Sequence, residues 1–181
     1  MTHGRKPRKP RHVRTDTLTA AQLRASCLTS AEIASFMDPV RECFAHVRTA
    51  TATELQYQVL HSTLVIAQEI ERTGIVRGLV EHIDLALAAS SAYNARCLAS
   101  GAGAWQPCDC HFHELDAIST MLDLHEYQLK QLSAAEMHRI TQRLIARTKQ
   151  EGGQVLQVEN DLSGAQPMSR RSFNQQPEAT E

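Results

Sequence analysis

The stretch Leu115-Asp-Ala-Ile118-Ser-Thr-Met-Leu122-Asp-Leu-His125-Glu-Tyr-Gln-Leu129-Lys-Gln-Leu132-Ser133-Ala-Ala-Glu136-Met137 decides the fold class. Leu115, Ile118, Leu122, Leu129 and Leu132 recur at alternating steps of three and four, the stripe of a helix packed nearly parallel to a neighbour. Only His125 interrupts that stripe with a polar side chain. At its end, the Ser133 hydroxyl can accept from the backbone N–H three residues on while Glu136 reaches back to the cap, and Leu132 and Met137 close over the turn. The same pattern stands at Leu28-Thr29-Ser30-Ala31-Glu32-Ile33 and at Leu18-Thr19-Ala20-Ala21-Gln22-Leu23, so two more helix starts are expected there.

Reading outward, Asp38-Pro39 predicts a separate helix from Pro39 to Thr49, because proline is at home in a first turn. Thr51 with Glu54 predicts the next start, and Leu55, Val59, Ser62, Ile66 and Ile70 give that helix its face before Thr73-Gly74 ends it. From Ile75 to Ser100 only Gly78 interrupts, which predicts one long helix rich in Ala and Ser. Gly101 to Pro107 reads as a loop. Met137, Ile140, Leu144 and Ile145 supply the buried face of a last helix, which Gly152-Gly153 stops. The expected architecture is all-α: a bundle of three to four main amphipathic helices preceded by short capped helices, spanning 17–152, with a basic arm over 1–16 and a polar tail over 153–181.

Composition agrees. Hydrophobic residues make up 42% of the 181 positions but aromatic ones only 4%, so the interior has to be assembled from Leu, Ile, Val and Ala, which suits close-packed helices. The longest run without a charged side chain, Leu55 to Gln68, falls short of the roughly 20 residues a membrane helix needs. The basic N-terminus leads into more charge and proline rather than an apolar run, so a cytoplasmic protein is expected. Five cysteines, an odd number, in a chain of this size predict reduced thiols. Arg outnumbers Lys 15 to 4, a coding bias that points to a bacterial source.

Net charge is −1, but it is unevenly distributed. Arg5, Lys6, Arg8, Lys9, Arg11 and Arg14 place six cations and no acid in the first 14 residues, leaving 13 cations against 20 acids, a balance of −7, on the rest. Prolines keep such an arm extended, so its charges can follow a phosphate backbone, and nucleic acid or an acidic protein is the expected partner. The alternative is a solvated, solubilising tail. A helix-turn-helix formed by Thr19–Ser26 and Ser30–Met37 is a weak reading, since Glu32 at the start of the second helix would repel phosphates.

The densest chemistry is Cys108-Asp109-Cys110-His111-Phe112-His113-Glu114. Cys108, Cys110, His111 and His113 are all zinc-ligand types, and the positive end of the following helix would favour thiolate over thiol. One residue between ligands is closer than structural zinc sites use, and an extended chain turns the two thiols and the two imidazoles different ways. No phosphate-binding glycine loop, nucleophile elbow or paired Glu-x-x-His motif is present. The expected function is therefore a non-enzymatic helical interaction protein without a cofactor. A zinc protein built on the Cys108–His113 segment and a homo-oligomeric structural module with inert tails are the alternatives.

Overall fold

The computed structural model describes residues 26–152, and among them the chain forms five α-helices. These are α1 (Ser30–Arg48), α2 (Glu54–Thr73), α3 (Val80–Ser100), α4 (Phe112–Lys130) and α5 (Ala134–Gln150). The expected all-α bundle is what the described residues form, and the helix start expected at Thr29 opens a full-length helix, α1. The basic arm, the helix expected at Thr19 and the tail after Gly152 lie outside the described residues.

Two of the repeated capping boxes form as the residues dictate. Thr29 caps α1 with Glu32 returning to its N–H, and Ser133 caps α5 with Glu136 doing the same. The staple residues Leu28, Ile33, Leu132 and Met137 are all buried. The two boxes also meet: the Leu28 N–H donates to the Leu132 carbonyl at 2.9 Å, next to an antiparallel bridge between Cys27 and Ser133.

Helix α2 touches each of the other four helices, α4 touches α1, α2 and α3, and α5 packs on α2 alone. Leu64, Ala67, Ile83, Ala86 and Met121 form the cluster where α2, α3 and α4 converge. Ala67 and Ala86 are fully buried there, and their small side chains let the helix axes approach closely.

Three local expectations give way to tertiary packing. Pro39 does not start a helix but lies inside α1. Ile33, Met37, Val40, Phe44 and Val47 form one buried stripe running through it, and burying each is worth about 1.5–3 kcal/mol, more in sum than the roughly 3 kcal/mol an interior proline costs. Thr51 is not a cap either. It completes the end of α1 through the His46 ring and the Thr49 hydroxyl, while Thr53, paired with Gln56, caps α2. Helix α3 starts at Val80 rather than Ile75, because Gly78 takes a left-handed φ of +96°. Glu71 of α2 caps it from outside, its Oε1 accepting from the N–H groups of Gly78 and Leu79.

His125 is buried on the α4 stripe and tied into the core. Gln128 donates from Nε2 to the Ala67 carbonyl, so its Oε1 is the acceptor facing His125 Nδ1 at 3.0 Å, and His125 carries its proton on Nδ1. Burial lowers the imidazole pKa below 6.5, so the unfolded chain takes up the proton more readily. The stability tied to this site is complete above that value and declines as the pH falls through the folded pKa. His61, half-buried between α2 and α3, shifts the same way. Replacing His125 by Leu strands the Gln128 carbonyl oxygen and is expected to cost about 1–2 kcal/mol at pH 7 while flattening the acid side of the stability profile. Urea unfolding at pH 7 and pH 5 checks both effects, and adding Gln128→Met should recover most of the loss.

Candidate functional site

The α3–α4 connection carries Trp105 and two of the five thiols, Cys108 and Cys110, and lies against Tyr57, Tyr93 and a third thiol, Cys97. Gly101 starts its turn where a side chain has no room: a Cβ would lie 1.8 Å from the Ala104 carbonyl oxygen. Trp105 then folds back, its indole N–H donating to Asn94 Oδ1 at 3.0 Å and its ring lying over Tyr57 and edge-on to Tyr93. The Gln106 N–H donates to the Cys97 carbonyl, which lays the loop along the last turns of α3.

Beyond Pro107 the chain alternates in and out. Cys108 and Cys110 turn inward and are half-buried, and Asp109 between them is exposed. Cys108 meets the fully buried Cys97 of α3, sulfur to sulfur, at 3.4 Å. Cys110 donates to Glu114 Oε2 at 3.5 Å.

Glu114 organises the site. Its carboxylate accepts the His111 N–H at 2.9 Å, which starts α4, and both its oxygens pair with the Arg96 guanidinium of α3. The Glu114 side chain is only 4% exposed, Arg96 about a third. Burial by itself would raise the carboxyl's pKa, but Arg96, the His111 amide and the Cys110 thiol together hold it down to about 2. Two buried polar atoms flank the thiols without a hydrogen-bond partner, the Tyr93 hydroxyl and Arg96 Nε.

The four residues read as zinc ligands separate here. Cys108 and Cys110 face Cys97 and Glu114, whereas the His111 and His113 rings stack on each other on the exposed side. Among the described residues no three His, Cys, Asp or Glu side chains converge on one point. His125, further along α4, is engaged by Gln128. The thiolate character expected at a helix N-terminus is also overruled. Burial pushes Cys108 up to about 11, with the Cys97 thiol adding to it and Arg96 opposing, and burial with the Glu114 carboxylate pushes Cys110 up to about 12. Both are thiols at neutral pH. The arm residues Arg5, Lys6, Arg8, Lys9, Arg11 and Arg14 lie outside the described residues.

Sequence reading missed Arg96 as a participant. Arg96 and Cys97 stand 18 and 11 residues from their partners Glu114 and Cys108, and no local spacing links them. A further surface feature adjoins the site: a groove of about 530 Å³ between α3 and α4, floored by Ala88, Ala89, Ala92 and Ala117 and edged by Leu85 and Asp116. Leu85 is 62% exposed. No helix among the described residues is long and apolar enough to cross a membrane.

Replacing Glu114 by Gln leaves Arg96 as a part-buried unpaired cation and should cost roughly 2–3 kcal/mol at pH 7, below the figure for a fully buried pair because Arg96 reaches solvent. Since the folded pKa is depressed, the wild type holds this contribution above pH 4.5 and loses it as the pH drops toward 2, whereas the variant has no such slope. Chemical denaturation of both proteins between pH 7 and pH 3 measures it.

No protein-family model matches this chain, and no curated protein or solved structure matches it.

Proposed function

We propose that this chain is a non-enzymatic association module of the bacterial cytoplasm, and that the bundle works by docking a second copy of itself. The α3–α4 groove carries this reading. Its small-residue floor can admit a helix, Leu85 projects beside it, and Glu81, Asp84 and Asp116 along these two helices make no salt bridge among the described residues. A small-residue groove with Asp116 on its edge, and with Glu81 and Asp84 on the helix that carries Leu85, suits a basic amphipathic helix.

Helix α5 has that character. It packs on α2 alone and carries Arg139, Arg143, Arg147 and Lys149 with the half-buried Leu144 and Ile145. Charge complementarity therefore favours α5 of one copy against the groove of another. The arm, with Arg5, Lys6, Arg8, Lys9, Arg11 and Arg14, supplies a separate contact to nucleic acid phosphates, sequence-tolerant and weakened by salt.

Light scattering across a concentration series tests the docking. The full chain should associate at tens of micromolar, and Leu85→Asp or Arg143→Glu should each leave a folded monomer, as should high salt. A monomer at every concentration would remove the proposal. For the arm, duplex DNA affinity should fall steeply between low and physiological salt and vanish when residues 1–14 are deleted; unchanged affinity in the truncated chain would exclude it.

A further inference from the structure

We infer that Cys97 and Cys108 are a modification site, a dithiol pair that a peroxide converts reversibly into an intramolecular disulfide fastening the Gly101–Pro107 loop to α3. The sulfurs lie 3.4 Å apart in van der Waals contact, and bond formation at about 2.05 Å asks only for a small movement. Cys97 is held rigidly in a helix and is fully buried, whereas Cys108 is half-buried on the connection and supplies that movement.

The chemistry follows from this difference in access. Cys108 is the sulfur a small peroxide can reach. It gives up its proton and attacks one peroxide oxygen; the O–O bond breaks, leaving Cys108 as a sulfenic acid, and the departing hydroxide takes the proton as water. The Cys97 sulfur then attacks the Cys108 sulfur, the S–S bond forms as the S–O bond breaks, and the hydroxyl leaves with the Cys97 proton as a second water. Two electrons pass from the thiols to the peroxide.

The surroundings suit the anionic species on this path. The Tyr93 hydroxyl and Arg96 Nε are buried donors without partners, and both flank the pair, Tyr93 beside Cys97 and Arg96 beside Cys108. A thiolate or a sulfenate oxygen would satisfy them, as orphaned buried donors require. The same Arg96 charge disfavours a metal cation at this position. Cys110 is not the resolving thiol, because it is engaged with Glu114. Cys27 is exposed and stands outside the cluster, so it is the thiol that would link two chains. Burial keeps Cys108 protonated at rest, which makes the pair a responder to sustained oxidant rather than a fast scavenger.

The test uses the full chain with Cys27→Ser to silence intermolecular linkage. After hydrogen peroxide and alkylation of the remaining thiols, intact mass should show two hydrogens lost and two fewer alkyl groups, both restored by dithiothreitol. Fragmentation of the 97–130 peptide should place the bond between Cys97 and Cys108 without recourse to any further variant. Cys110→Ala should still form it and Cys108→Ala should not, and oxidation should raise the melting temperature of the first protein but not of the second. A bond mapped to Cys108 and Cys110, a linkage only between chains, or a full complement of free thiols after peroxide would each overturn the inference.

Discussion

The Glu114 carboxylate does three jobs at one buried point. It starts α4 by accepting the His111 N–H, it joins α4 to α3 through both oxygens on Arg96, and it accepts the Cys110 thiol. A carboxylate so buried is tolerable only because its lone pairs are filled by charged and neutral donors together. The consequence is positional. The chain leaving Pro107 must run extended to deliver His111 to that carboxylate, and an extended run turns Cys108 and Cys110 to the interior and Asp109 to water. The thiol pair is thus a product of the ion pair.

Scarce aromatic residues sharpen this arrangement. Tyr57, Tyr93 and Trp105 come from α2, α3 and the connection and gather at one place, while elsewhere Ala67, Ala86 and aliphatic side chains fill the interior. Trp105 lays a large apolar face over the loop's inner side and still finds an acceptor in Asn94 for its N–H. Trp105 therefore anchors a loop whose other residues are mostly exposed, and the loop's return along α3, through the Gln106 N–H on the Cys97 carbonyl, covers Cys97, which is fully buried at the end of the helix.

What could be read from the chain alone divides by range of interaction. Thr29, Ser133 and Gly74 announced their turns because capping chemistry is local, and the Leu115 to Leu132 stripe announced its helix because burial follows helical spacing. Pro39, Thr51 and Gly78 misled for the opposite reason. Whether α1 passes through its proline depends on partners in α2 and α4, and the start of α3 depends on Glu71, a residue of another helix. The site divides in the same way. Cys108, Cys110, His111 and His113 stood out by composition, yet the side chains that give the thiols their surroundings, Cys97, Arg96 and Tyr93, come from the preceding helix and carry no motif.

The His125–Gln128 pair shows how the same constraint works at the other end of α4. A leucine at 125 would continue the stripe, but the pair fastens α4 to the Ala67 carbonyl of α2 through Gln128, a directional contact that apolar packing cannot supply. Interhelical slippage by one turn would preserve much of the surrounding aliphatic contact, since Leu and Ile side chains tolerate many registers. It would leave Gln128, wholly buried, with unsatisfied amide groups, and that penalty selects one register. Glu114 with Arg96 at the first turn of α4 and Gln128 with Ala67 at its last turn therefore fix the helix at both ends, and the aliphatic residues between them need only fill the space.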